Sequence, residues 1–184
     1  MIISGSSGEH LFRKADCGEG AALIFSAGIL TISDKGSTGQ REDESGRLLH
    51  ELLESLPGKV CVYQVVPDER NDIREHLLSF CDEWKANLVL TTGGTGISPR
   101  DVTPDVTGTV IDYLIPGIGE IMRMEGYKIN PRAIISRAIA GVRGKTLIVN
   151  LPGSPRAVRE NFEMLLPVLP HAIEKMLGDE SACG

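Results

Sequence analysis

The residues able to do phosphate chemistry gather in one stretch, Thr92-Gly93-Gly94-Thr95-Gly96 followed by Arg100 and Asp101. Glycines at that spacing let the backbone approach a ligand closely and leave N–H groups free to converge on an anion. The run is not a Walker A loop, because no Gly-Lys-Ser/Thr follows. Nor is it G-x-G-x-x-G, because Pro99 stands where the third glycine would fall. Three further polar segments have a similar character: Ser33-Asp34, Pro67-Asp68, and Asn150 to Ser154 with Pro152 and Gly153 inside it. Carboxylates such as Asp68 and Asp101 repel a polyphosphate unless a cation intervenes. Mg²⁺ is the natural cation, held by one or two carboxylates together with phosphate oxygens and water. The expected chemistry is therefore magnesium-dependent and acts on a phosphate-bearing ligand.

Each feature also has a plainer structural reading. The glycines fit a tight turn, and Asp68 fits a cap on the turn that follows it. Asp101 serves equally as a partner of Arg100 or as a local cap toward Thr103, and Asn150 to Pro155 serves as the start of a helix. The four histidines, His10, His50, His76 and His171, have no ligand spacing.

The segments between these loops alternate between strand and helix periods. Leu23 to Ser33, Lys59 to Val66 and Leu88 to Leu90 read as buried strands. The first is followed by a polar loop over Ser33 to Gly39. Asp43 or Ser45 caps a helix with an apolar stripe of Leu48, Leu49, Leu52, Leu53 and Leu56, stopped at Pro57-Gly58. Asn71 caps a second helix, with Ile73, Leu77 and Trp84 on its core side. Thr103-Pro104 reads as the cap and first residue of a third, which Val106, Val110 and Leu114 carry to a stop at Pro116-Gly117. Gly119 to Tyr127 forms another helix and Pro131 to Ser136 a further turn. Ala138 to Val142 and Lys145 to Asn150 form a hairpin-like pair. Ser154 caps the last helical region, which Pro167 and Pro170 divide.

The class that follows is α/β: a three-layer, doubly wound, mainly parallel sheet with helices on both faces. Residues 1–20 are expected to form an arm or an extra strand, and residues 21–184 a single domain. In a parallel sheet the loops that leave the carboxyl ends of strands share one edge. Ser33-Asp34, Asp68, the glycine loop and Asn150 to Ser154 should therefore converge there.

Composition excludes several alternatives. The 184 residues carry 19 basic and 25 acidic side chains, a net charge of −6, which argues against nucleic acid as the main partner. No apolar run approaches the roughly 20 residues that span a bilayer. The N-terminus lacks the basic and apolar pattern of a signal peptide. Four scattered cysteines, Cys17, Cys61, Cys81 and Cys183, fit free thiols in a reducing cytoplasm, so a cytoplasmic location is expected.

Four motifs resemble the molybdopterin adenylyltransferase family of molybdenum-cofactor biosynthesis proteins. They are Ser33 to Ser37 with Asp43 to Gly46, Val66 to Glu69, Thr91 to Asp105, and Asn150 to Pro155, all in the family's order and spread over about Leu23 to Gly178. Lys35 stands where an arginine is common. The resemblance implies that molybdopterin's terminal phosphate attacks the α-phosphorus of Mg-ATP, giving adenylyl-molybdopterin and pyrophosphate. It assigns catalysis and magnesium to Asp68 and Asp101. Ligand binding falls to Ser33, Asp34, Thr92, Gly93, Gly94, Thr95, Gly96, Arg100, Asn150, Pro152, Gly153 and Ser154. It also implies a homotrimer and a downstream molybdate-insertion protein. A non-catalytic pterin-binding or scaffolding protein of the same fold is the alternative. The chemistry suits residues that include no candidate base: a phosphate monoester, with a second pKa of about 6, is already mostly a dianion near neutral pH.

Overall fold

Strand β1 (Phe25–Ile32) lies between β2 (Gly58–Val66) and β3 (Leu88–Thr92) and pairs in parallel with both. The computed structural model describes residues 25–178 of the chain. The arm or extra strand expected over residues 1–20 lies outside the described residues. Among the described residues six strands form one sheet in the order β2-β1-β3-β6-β5-β4, where β4 is Tyr113–Leu114, β5 Ala140–Arg143 and β6 Thr146–Leu151. Strand β6 is parallel to β3, whereas the β5/β6 and β4/β5 pairs are antiparallel. The sheet is thus mixed, with its parallel part at β2-β1-β3-β6.

Among the described residues seven α-helices accompany the strands: α1 (Asp34–Ser37), α2 (Glu44–Glu54), α3 (Arg70–Asp82), α4 (Thr103–Val110), α5 (Pro116–Ile129), α6 (Pro155–Leu165) and α7 (Leu169–Leu177). Period-two alternation in the strands builds one core on each sheet face. Phe25, Ala27, Ile29, Leu88, Leu90, Leu147 and Val149 meet Leu49 and Leu53 of α2, Phe162 and Leu165 of α6, and Ile173 of α7. Leu30, Ile32, Val89 and Ile148 meet Ile73, Leu77 and Phe80 of α3 and Val106 and Val110 of α4 on the other. The doubly wound, three-layer expectation holds.

Several local readings need correction. Pro116 opens α5 instead of ending a helix, and Tyr113-Leu114 forms an edge strand before it. Proline suits a first helical turn as well as a stop, and here the first role wins. Glu69, not Asn71, occupies the cap of α3, and Thr103 is the first residue of α4 behind the cap Val102; neither cap makes a side-chain hydrogen bond. Ser33 to Gly39 is not a plain loop: Ser33 caps the single turn α1 and accepts the Gly36 N–H. Asp43 is the cap of α2. Cys61 is disulfide-bonded, contrary to the expected free thiol, while Cys81 is free and buried. The hairpin at Arg143-Gly144, the turn at Pro131–Ile135, and Ser154-Pro155 at the start of α6 stand where they were expected.

Asn150 is fully buried in β6. Its amide donates to the hydroxyls of Thr91 (3.0 Å) on β3 and Thr107 (2.9 Å) on α4. Changing Asn150→Ala strands two buried hydroxyls. A loss of about 2 kcal/mol is expected, seen as a melting temperature lower by roughly 4–8 °C. A melting temperature equal to that of the parent would show that the network contributes nothing.

Candidate active site

The sheet order reverses direction at β1, which sends the chain outward to β2 on one side and later to β3 on the other. Ligands bind outside the carboxyl ends of strands at such a switch point. There the structure holds a cleft of 540 Å³ whose lining includes Ser33, Asp43, Ser45, Asp68, Gly93, Gly94, Gly153 and Ser154.

The glycine loop forms its floor for steric reasons. Gly93 (φ 105°) and Gly94 (φ 62°) are left-handed, a region that side chains disfavour. A Cβ on Gly93 would strike the carbonyl oxygen of Ile32, and one on Gly94 would strike the Thr103 hydroxyl and reach Asp68 Oδ1 at 3.3 Å. A Cβ on Gly96 would lie 2.8 Å from Asp101 Oδ2. The two aspartates therefore flank the loop, Asp68 at Gly94 and Asp101 at Gly96. Gly153 also lies close, since its Cβ would approach the Gly93 Cα at 3.2 Å. Thr92 holds that neighbour by donating to the Pro152 carbonyl (2.7 Å), and Ser45 donates to the Gly153 carbonyl (2.8 Å).

Asp34 and Asp68 lock the ends of β1 and β2 together. The Asp34 N–H donates to Asp68 Oδ2 and the Asp68 N–H to Asp34 Oδ1, both at 3.0 Å. Arg100 is not paired with Asp101. Its guanidinium donates to both Asp34 oxygens (2.8 and 3.0 Å) and to Glu69 (2.7 Å). Asp101 instead acts as a local cap, accepting the Ser98 N–H at 2.8 Å.

The electrostatics follow from this wiring. The Asp68 N–H and the Arg100 guanidinium hold the Asp34 carboxyl below the usual range. Burial pushes Asp68 the other way, above it, with Asp34 and Asp101 adding repulsion. Arg100, beside Glu69 and Asp34, is raised further still.

Of the expected residues, Ser33, Asp68, Thr92, Gly93, Gly94, Gly153 and Ser154 line the cleft. Thr95, Gly96 and Pro152 line a second cleft of 220 Å³ behind the glycine loop. Asp34 and Arg100 form the ion pair described above. The Asn150 side chain is turned into the core. Arg41, Asp43 and Ser45 line the main cleft although they were not proposed as site residues. Arg41 donates to Ser33 Oγ (3.0 Å), and Tyr63 donates to Asp43 (2.5 Å). Asp43's capping position was a usable signal. Nothing near Arg41 in the sequence marked it.

Among the described residues, no three His, Cys, Asp or Glu side chains are grouped to hold a metal by themselves. Two carboxylates beside loop N–H groups match Mg²⁺ that arrives with phosphate oxygens. The buried Thr103 hydroxyl without a partner lies against Gly94, and the Gly94, Thr95 and Gly96 N–H groups donate to no acceptor among the described residues. Asp68 and the loop N–H groups fit Mg²⁺ carried by a phosphate-bearing ligand, while Asp101 lines a separate hollow with Ile97, Ser98 and Arg137.

A raised carboxyl contributes stability below its ordinary pKa of 3.8 and loses that contribution as pH rises through the higher folded value. At pH 7 the charged Asp68 is therefore a cost to the fold. Asp68→Asn should melt at or above the parent temperature at pH 7, with the advantage gone below pH 4. A lower melting temperature at pH 7 would contradict the burial argument.

Comparison with known proteins agrees with this geometry. A family model described as a probable molybdopterin binding domain matches residues 28–171. The chain is 44% identical over 154 residues to a molybdopterin adenylyltransferase of Helicobacter pylori, covering 83% of this chain and 88% of that one. It is 42% identical over 139 residues to a molybdopterin adenylyltransferase of Escherichia coli, covering 74% and 71%. The crystal structure of the molybdopterin biosynthesis enzyme MoaB from Thermus thermophilus superposes with a TM-score of 0.80 at 47% identity, covering 84% of this chain and 98% of that one. The tungsten cofactor synthesizing protein MoaB from Pyrococcus furiosus superposes with a TM-score of 0.76 at 34% identity, covering 83% and 96%. The chain belongs to the molybdopterin-binding family of molybdenum-cofactor biosynthesis proteins, the family that includes the molybdopterin adenylyltransferases.

Proposed function

We propose that the protein is a molybdopterin adenylyltransferase that uses Mg-ATP and releases pyrophosphate. The observation that carries this reading is the pair of aspartates, Asp68 and Asp101, on either side of a glycine loop whose N–H groups donate to no acceptor among the described residues. A terminal phosphate dianion on molybdopterin forms a bond to the α-phosphorus of ATP as the bond to pyrophosphate breaks. No protein base is needed, because the nucleophile is already deprotonated. The protein's task is in-line alignment and stabilisation of charge on the transferring group. Backbone N–H groups of Gly94 to Gly96 hold phosphate oxygens, and Ser33 and Ser154, which line the same cleft, add polar contacts. Asp68 and Asp101 would hold Mg²⁺, which when bound neutralises the polyphosphate. Arg100 is tied to Asp34 and Glu69 and offsets negative charge near Asp68.

The product is an activated pterin, the substrate for molybdate insertion by a separate protein. The chain acts as one α/β domain. No helix among the described residues is long and apolar enough to cross a membrane. We assign it a homotrimeric state. Met124 and Tyr127 on α5 and Ile134 and Ile135 on the turn packed against it are exposed, as are Tyr113 and Leu114 on β4. Apolar side chains left exposed in this way mark a surface for another copy of the chain.

Incubation with molybdopterin and Mg-ATP should yield adenylyl-molybdopterin and pyrophosphate in equal amounts. Asp101→Asn should lower turnover by about 10²–10³-fold while pterin binding persists. Pterin binding by the parent protein without turnover would mark a non-catalytic binding protein and overturn the reading. Sedimentation equilibrium should return three times the mass of one chain. A monomer at micromolar concentration would refute the trimer.

A further inference from the structure

Arg137 has no place in the mechanism above, yet it holds the glycine loop at both ends. It leaves the turn Pro131–Ile135 just before β5 and is half-buried. Its main-chain N–H donates to the Thr95 carbonyl and its Nε to the Gly96 carbonyl, each at 2.9 Å. Its Nη2 donates to the Asp101 carbonyl. The same guanidinium makes a two-point bridge to Asp105, Nη1 to Oδ1 at 2.8 Å and Nη2 to Oδ2 at 3.2 Å. Asp105 sits in the first turn of α4 and supplies a rigid anchor.

We infer that Arg137 is a positioning residue for adenylyl transfer, fixing the loop from Thr95 to Asp101 so that its N–H groups and the Asp101 carboxylate keep their aim. The inference rests on the adenylyl-transfer reading for its kinetic part and on geometry alone for its structural part. A trans peptide directs C=O and the next N–H in opposite directions. Turning the Thr95 and Gly96 carbonyls onto Arg137 therefore turns the N–H groups of Gly96 and Ile97 away from it, where an anion can take them. Ser98 N–H to Asp101 Oδ2 and Asp101 N–H to Ser98 O (2.9 Å) close the loop's far end, and Thr103 N–H to the Gly94 carbonyl (3.2 Å) closes its base, which leaves the span between them to Arg137. One planar group with fixed N–H directions joins both ends. Lysine cannot do this, because its single ammonium cannot span carbonyls and a carboxylate together.

The test compares the parent with Arg137→Lys, and with Asp105→Asn, which frees the arginine from its anchor. Hydrogen exchange of the Ser98, Asp101 and Thr103 amides, which are hydrogen-bonded within the loop and at its base, reads the loop without any activity. Turnover with molybdopterin and Mg-ATP reads its consequence. In Arg137→Lys, exchange at the Ser98, Asp101 and Thr103 amides should accelerate at least tenfold while strand amides keep their protection. Turnover should fall about 10–100-fold with KM for molybdopterin within about twofold. Asp105→Asn should fall in between. For Arg137→Ala, millimolar guanidinium should restore part of the turnover. Parent-like exchange and turnover in folded Arg137→Lys would overturn the inference. So would acceleration spread evenly over the whole chain, since that marks the arginine as a general stabiliser. If the parent itself shows no turnover, the adenylyl-transfer reading fails, and the exchange data still decide whether the clamp exists.

Discussion

The parallel register that sets Thr31 beside Thr92, and Thr92 beside Leu151, is the constraint on which the rest depends. It ends three strands at one level, so the chain emerges at Ser33, Gly93 and Pro152 within a short span. Gly93 must then pass under the Ile32 carbonyl and against Gly153, and no side chain fits there. The cores on both faces hold that register, because sliding a strand by one residue would exchange Leu90 for Val89 between them. Site geometry and core packing are two readings of one alignment.

A cleft made this way carries an electrostatic tension. Asp34 and Asp68 are tied to each other's backbone, and their carboxyls are shifted in opposite directions. Asp34 faces solvent and an arginine, and its charge is comfortable. Asp68 is sheltered from water, and its charge is not. Separated environments of this kind mark functional sites. The uncomfortable carboxylate is the one beside the glycine loop, where a cation with its phosphates would relieve it.

Much of this was legible in the sequence, wherever local rules governed. The strand alternation, the leucine stripe of α2, the Arg143-Gly144 hairpin and the Ser154-Pro155 helix start all depend on near neighbours, and the structure reproduces them. Pro116 misled because proline ends one helix and begins another with equal ease. Arg100 misled because its neighbour in sequence, Asp101, offered a ready partner. The true partners, Asp34 and Glu69, lie 66 and 31 residues away. Asn150 stands in a ligand-binding motif, yet its amide serves two threonines inside the core. Arg41 and Arg137 carried no local mark, since each works only on residues that the fold brings to it.

The Arg137 clamp has a consequence for portability. A Thr-Gly-Gly-Thr-Gly segment looks like a self-contained cassette, ready to be spliced after any parallel strand. Here its shape is imposed from outside, by a guanidinium 41 residues from Gly96 and anchored on Asp105. A graft of residues 88–105 onto another sheet would carry the anchor but leave the clamp behind. The smallest transplantable unit is the loop with α4 and the stretch leading into β5, and the intervening α5 comes with them.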